Sequence, residues 1–568
     1  MEIIPFKGQV FEEISAEYDE DNLFEDPYFP ANNQSLYYSR RPPPGIVWKR
    51  PKEVRDDAEF VVDGFRRCDM DQGSIGNCWF IAGVVGILQS EKLFEKIVPA
   101  EQSFSENYAG IFHFRFWLYG QWVDVVIDDR LPFWTTGELV YANNKQQPNE
   151  YWTALLEKAY AKLNGCYEAL EAGQTTDALI DMSGGLEESF DLAKLDSSTN
   201  LWTILYQAYM RNSIMGCSII ADSSVREARL SNGLVRGHAY TITKLVTVET
   251  DDGVFRLIRI RNPWGNEVEW KGAWSDNSRE WRKFDDDTRE ELGLIQDHDG
   301  EFWMSYEDFL KNWHTVQICH LSVDTFSEEI EKANDIGTMS WRKLAMDSDM
   351  SWKCTIYHSE WATGRTAGGC GQYDQAKFWT NPQFLIQVSD VDHDDNESLA
   401  TVVIALMQKD CRLKRIKENC DSAEEFIQFK LFKIRDHVSI DESKTTGLKL
   451  YSNQLEKIGA SGPYINSREV TKRFRIEPGN YLIIPSTYDP NRDCEFMLRI
   501  FTEETIEASS LEQNKDEDLT EEESFFELDD TDTIFSSWDN FFKAANSGEE
   551  AIESGQNTQT VQEACLIM

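Results

Sequence analysis

At 568 residues and 41% hydrophobic content, the chain is long enough for three or four ordinary domains with filled cores, which excludes a small stapled scaffold. Its formal net charge of −44 sets most of the surface against a phosphate backbone, so nucleic acid is not an expected partner, whereas cations are. The 11 cysteines are odd in number and lack metal-type or disulfide-type spacing, the first seven residues lack the basic start and apolar core of a signal peptide, and no apolar run approaches about 20 residues; the expected compartment is therefore a reducing cytoplasm, with no membrane span.

Residues 1–34 read as an acidic, Asn- and Pro-containing leader to the globular part. The first segment with chemical content is Gln72-Gly73-Ser74-Ile75-Gly76-Asn77-Cys78-Trp79-Phe80. Two glycines let the backbone bend before Cys78, Asn77 stands where it can cap a helix, and residues 78–88 continue as a buried helix. Cys78 falls in the first turn, where unpaired amides and the positive end of the helix dipole favour a thiolate. Taken alone it also reads as a small buried hydrophobe, the commoner fate of a lone cysteine. Strands are expected around His113 and Trp122 and a helix from Trp152 to Tyr167, which completes a first region over 35–210.

Residues 211–330 read as strands and turns. Gly237-His238-Ala239-Tyr240 puts a histidine at the head of an alternating strand, and Arg261-Asn262-Pro263-Trp264-Gly265 ends another strand in a Pro/Gly-broken turn. Cysteine, histidine and asparagine in that order form the papain-type arrangement. An imidazole takes the thiol proton, the Asn262 amide holds the ring in the useful tautomer, and Gln72 can aim its amide at a developing oxyanion beside the Cys78 N–H. Singly, His238 reads as a strand histidine and Asn262 as a turn residue.

Short alternating strands over 335–503, such as residues 384–388 and 481–485, give a β-sandwich pattern. The basic run 409–417 alternates charge with apolar residues and reads as a strand with one solvated face; docking to another domain or to an anionic lipid surface is the sharper alternative. The acidic string starting at Asp390 is not an EF-hand loop, because it lacks glycine at the sixth place and has Thr401 at the twelfth. Residues 504–568 read as an acidic, largely disordered tail: from 503 onward there are 19 Asp and Glu against Lys515 and Lys543. An aromatic island at 534–542 is the exception. The final Cys565-Leu566-Ile567-Met568 matches a prenylation box, although Glu549, Glu550, Glu553 and Glu563 stand where a basic segment would assist membrane association.

Residues 72–79, 108–114, 121–129, 155–162, 237–240, 261–265 and 299–304 together resemble the calpains, calcium-dependent cysteine proteases of the papain-like group, and the resemblance runs from about residue 20 to about 503. His238 and Asn262 lie 160 and 184 residues after Cys78, farther than the roughly 130 to 150 of the simple papain layout. The resemblance implies an α+β chain: a two-lobed papain-like cysteine protease core, an antiparallel β-sandwich domain and the acidic tail, with Gly216 at the connection between lobes. It implies Cys78 as nucleophile, His238 as general base, Asn262 as orienting residue and Gln72 as oxyanion donor. The activity so implied is that of a calcium-activated intracellular cysteine endopeptidase performing limited proteolysis of protein substrates through a thioester.

Two calcium sites follow from the same resemblance, one using the Val62 and Gly64 carbonyls with Asp69 and Glu150, the other Glu269, Asp276, Asp297, Asp299 and Glu301. Read one by one, these acids are solvated surface carboxylates. Trp264 would be a cleft wedge in the inactive state, or a core tryptophan if read alone. The third calpain domain adds a phospholipid membrane surface as a partner. The best-known calpains continue into a penta-EF-hand domain that pairs with a small subunit, whereas this sequence ends in the acidic tail, so a small-subunit heterodimer is not expected. The alternative function class is a catalytically silent adaptor binding partners or membrane; the presence of Cys78, His238 and Asn262 favours the enzyme.

Overall fold

The computed structural model describes residues 3–62, 64–65, 69–195, 200–210, 213–220, 228–250, 253–263, 269–294, 300–321, 353–372, 374–389, 399–418, 424–438, 447–502 and 508–510. Trp264, Asp297, Asp299, the acidic loop 390–397, the aromatic island and Cys565 lie outside the described residues. Helices and sheets are mixed, and no described helix is long and apolar enough to cross a membrane.

The first core is organised around the helix Cys78–Ile87, every residue of which is buried. A helix apolar on all sides must be enclosed. It lies between the helix Thr175–Ser183 and the strand His238–Thr250, and Thr241 Oγ1 donates to the Ala82 carbonyl at 3.1 Å. Gly86 makes that approach feasible, since a Cβ there would stand 2.5 Å from Ile214 Cγ2. Within the stretch expected to be a leader, Phe6 and Phe29 belong to this core and Ile3, Ile4 and Leu23 pack against it. Ile3–Pro5 pairs in parallel with Gln121–Asp128, which pairs antiparallel with Ile111–Leu118. Lys162 donates to Asp26 Oδ2 at 2.7 Å and to Gln9, tying the N-terminal segment to the helix Trp152–Leu163.

A six-stranded sheet forms the second core, in the order Glu301–Ser305, Gly253–Arg261, His238–Thr250, Ile214–Ile219, Thr315–His320, Leu186–Asp191. Leu186–Asp191 and the helix Leu201–Met210 precede residue 211 in the chain yet pack here, because Phe190, Leu201 and Leu205 share one apolar cluster with Tyr240 and Ile260. Gly216 sits inside the strand Ile214–Ile219, opposite Thr241 and Gln317.

Beyond residue 353, two antiparallel sheets share another apolar cluster. One runs Lys353–Trp361, Cys494–Thr502, Ala400–Gln408, Glu469–Ile476; the other is built on Phe426–Ile434, Gly479–Thr487 and Phe384–Val388. The basic run is a helix, Cys411–Glu418, and not a strand. Asp410 leaves the preceding strand at φ 54°, its carbonyl accepts from Lys414 N at 2.8 Å, and Leu413 and Ile416 then share a small apolar cluster with Cys166 and Ala169. Alternation over nine residues could not distinguish the two periods because the apolar side chains are too few.

Candidate active site

Cys78 is the first residue of its helix and is 8% exposed, at a helix N-terminus where the Phe80 and Ile81 amides donate to the Asn77 carbonyl at 3.0 and 3.2 Å. The turn before it is internally bonded: the Ile75 carbonyl accepts from Asn77 N at 3.0 Å and from Gln72 Nε2 at 2.8 Å. Gln72 therefore stands within the turn beneath Cys78, with one amide hydrogen committed to it. Asn77 holds the cap position at φ −116° and ψ 32° but makes no side-chain cap bond. Its Nδ2 donates instead to Glu157 Oε1 at 2.6 Å, a tertiary contact that overrides the local capping tendency.

His238 begins its strand after Gly237, whose φ of 68° is a left-handed value that glycine adopts without penalty. Its Nε2 meets Asn262 Oδ1 at 2.8 Å, and both residues are fully buried. An amide oxygen can only accept, so Nε2 carries a proton, and in the neutral ring the lone pair then lies on Nδ1. The ring also packs edge-on against Tyr240, 5.0 Å between centroids. Asn262 is held in turn by its backbone, which donates to the Gly300 carbonyl at 2.9 Å. The arrangement can keep one imidazole nitrogen basic in a dry site and fix the ring's direction.

Of the first acid set, the structure joins Val62 and Glu150: the Val62 N–H donates to Glu150 Oε1 at 2.6 Å and Asn144 Nδ2 to Oε2 at 2.7 Å. Asp69 is buried and Gly64 takes φ 85° on the same loop. In the second set, Glu269 Oε1 accepts from Gly300 N at 3.0 Å, Glu301 faces Arg259 at 3.4 Å and Asp276 is buried. Among the described residues no three His, Cys, Asp or Glu side chains are grouped as a metal site.

Two further residues reach the segment around Cys78. Glu157, fully buried on the helix Trp152–Leu163, accepts from Asn77 and from Ala142 N at 2.9 Å, and burial pushes its carboxyl up to about 7. Arg412, from the helix Cys411–Glu418, lies 4.3 Å from the ring centroid of Trp79, the residue after the cysteine. Its guanidinium donates to the Ala169 and Ala172 carbonyls at 2.8 and 3.0 Å and to Asp177 Oδ2 at 3.1 Å. Glu157 was visible in the sequence as an acid inside the apolar stretch 152–163, but its partner 80 residues away was not.

Residues 24–320 match the family model described as calpain family cysteine protease, and residues 357–501 match calpain large subunit, domain III. The chain is 46% identical to Calpain-A of Drosophila melanogaster over 499 residues, covering 87% of this chain and 57% of that protein. It is 45% identical to Calpain clp-1 of Caenorhabditis elegans over 491 residues, covering 86% and 60%. These two relatives are thus substantially longer than the part of them that this chain matches. With the Calpain-2 catalytic subunit of Bos taurus the identity is 39% over 551 residues, covering 95% of this chain and 73% of that one. A family match over more than half of the chain, and relatives this similar over most of its length, mean that the chain belongs to the calpain family of cysteine proteases.

Proposed function

We propose that the chain is a calcium-activated intracellular cysteine endopeptidase that makes limited cuts in protein substrates through Cys78, His238 and Asn262. The observation that carries this reading is the buried 2.8 Å contact between His238 Nε2 and Asn262 Oδ1, on a strand packed against the helix that begins at Cys78. His238 Nδ1 takes the Cys78 proton, and the thiolate attacks the scissile carbonyl carbon. The C–S bond forms as the carbonyl π pair moves to oxygen, where the Cys78 N–H and the Gln72 amide stabilise it. Collapse expels the amine, which leaves with the proton from His238, and a thioester remains. Water then gives a proton to His238, attacks the thioester and releases the acid, and Cys78 recovers its proton.

The papain-like reading puts Cys78 and His238 on two lobes, residues 35–210 and 211–330, followed by a β-sandwich domain over 335–503; a rotation between lobes would switch activity without altering either residue. Val62, Gly64, Asp69 and Glu150 offer an oxygen-only set, and the bond from Val62 N–H to Glu150 already joins two of its segments, which suits a hard cation. Glu269, Asp276, Asp297, Asp299 and Glu301 make up the second set. Calcium bound there would supply electrostatic cross-links between loops and no redox or nucleophilic chemistry. A phospholipid surface remains a proposed partner of the third domain, and the cytoplasm the proposed compartment.

Casein hydrolysis by the purified chain, with calcium or with chelator and beside Cys78→Ser, tests the reading. Calcium-dependent hydrolysis that Cys78→Ser abolishes is expected; hydrolysis surviving that substitution would remove Cys78 from the mechanism.

A further inference from the structure

We propose that Glu157 is a positioning residue for the nucleophile, acting through Asn77 to hold the Cys78 helix terminus against the neighbouring 139–143 segment. The inference rests on the protease reading above and adds to it a residue that touches neither substrate nor the reacting atoms. The segment before Cys78 and the segment 139–143 run side by side. Asp71 N donates to the Asn143 carbonyl at 2.8 Å, Asn143 N returns to the Asp71 carbonyl at 3.1 Å, and Ser74 N donates to the Val140 carbonyl at 2.8 Å. Gly73 lies so close that a Cβ there would be 2.2 Å from the Tyr141 oxygen.

Glu157 fastens the two segments at the end nearest the thiol. One carboxylate oxygen takes the Asn77 amide at 2.6 Å and the other takes Ala142 N at 2.9 Å. The next residue after Asn77 is the nucleophile, so any change at this clamp moves the start of the helix directly.

A clamp made only for stability would not need a charge. Glu157 is fully buried, and among the described residues its partners are those two N–H groups, with no cation facing it. The titratable groups facing it are Tyr141 and Tyr167, whose phenols burial raises and keeps neutral. Burial also pushes the Glu157 carboxyl up to about 7, so both protonation states are within reach near neutrality. Ionised, the carboxylate accepts both N–H groups. Protonated, it needs an acceptor, and Asn77 Oδ1, buried and with no hydrogen-bond partner, supplies one if the amide turns over. The clamp thus has two arrangements, and the ionised one carries the geometry described above.

The test compares the full chain with Glu157→Gln, Asn77→Ala, the double variant and Cys78→Ser, with calcium and a fluorogenic peptide, from pH 6 to 8.5. A misplaced nucleophile loses turnover more than binding, so kcat is expected to fall about 10- to 100-fold in either single variant with KM nearly unchanged. The double variant should be no worse than the single ones. The rate at which iodoacetamide alkylates Cys78, read by mass spectrometry, should fall with kcat, and its dependence on pH near 7 should flatten in Glu157→Gln. If Glu157→Gln loses its cooperative melt, Asn77→Ala, which keeps the carboxylate and cuts only the link, decides. Wild-type kcat and alkylation in these variants, beside an inactive Cys78→Ser, would overturn the positioning role and leave the protease reading intact. Absence of hydrolysis dependent on Cys78 in the parent chain would overturn both.

Discussion

Replacing Arg412 by methionine should loosen the docking of the C-terminal sheets on the protease and be felt at Cys78. The side chain is 10% exposed and its guanidinium is spent entirely on the other module: two carbonyls, the Asp177 carboxylate and the face of Trp79. Removing one partner of a buried pair costs about 3 to 5 kcal/mol when the other charge is stranded. Here Asp177 retains Arg468 at 4.0 Å, which argues for the lower end of that range. The lost cation–π contact adds about 1 kcal/mol. A total near 4 kcal/mol corresponds to roughly a 700-fold shift in the docking equilibrium. The effect should depend on pH. Burial already raises the Asp177 carboxyl, with Arg468 and Arg412 opposing it, so loss of Arg412 raises it further and makes the ionised form costlier. That added cost is absent where Asp177 is protonated and grows as pH rises through its folded pKa. Thermal melts of the full chain at pH 5 and pH 8, with peptide hydrolysis beside them, give the readout. A larger loss at pH 8 than at pH 5, with reduced hydrolysis, is expected; equal melting points and rates for parent and variant at both pH values would refute the reasoning.

Gly73→Ala should destabilise the chain by about 1 to 3 kcal/mol in urea titration and cut turnover, because the neighbour its Cβ meets is the Tyr141 backbone and not a yielding side chain. Glu157, raised from 4.5 to about 7, contributes stability that is present below pH 4.5 and is lost as pH rises through 7, by about 3 kcal/mol in total; Glu157→Gln should remove that slope, leaving the variant relatively more stable at pH 8 than at pH 5 in the same titration. Asn262→Ala should lower kcat by about 100-fold or more with little change in KM, since it frees the tautomer and direction of the His238 ring. Asp69→Asn should raise the calcium concentration needed both for hydrolysis and for the calcium-induced rise in melting temperature, and an unchanged titration would remove Asp69 from the ligand set.

The helix that begins at Cys78 and the strands carrying His238 and Asn262 were legible because each rests on a local signal: an unbroken apolar run, alternation, and a Pro/Gly turn. What was not legible depends on partners distant in sequence. Asn77 has the composition of a helix cap, and only the presence of Glu157 behind it makes the amide turn away. Likewise Lys158 and Lys162 on the same helix look like a solvated face, yet both are buried. Lys158 reaches Asp128 and the Arg130 carbonyl, and Lys162 reaches Asp26 and the Val126 carbonyl. Helical spacing states which residues share a face; it does not state whether the facing sheet offers carboxylates or water.

The same limit explains the basic run, and there it has a physical consequence. Buried charges lose more in desolvation than they regain unless every partner is in place. On the docked face, Arg412 is held by Ala169, Ala172 and Asp177, Arg468 by Asp181, and the two terminal nitrogens of Arg499 by the Gly184 carbonyl and Glu469, while its buried Nε has no hydrogen-bond partner among the described residues. Such an interface contributes little net affinity per contact but penalises any displaced geometry, so it selects one docked position sharply. That position is connected to the Cys78 turn by two routes. Ala172 N, on the segment Arg412 holds, donates to the Gly76 carbonyl at 3.1 Å, and Trp79 Nε1 donates to the Leu170 carbonyl at 2.9 Å while its ring lies under the guanidinium. Gly76 and Trp79 bracket Asn77 and Cys78. A shift of the C-terminal sheets would therefore bear on the turn before Cys78 through these two contacts.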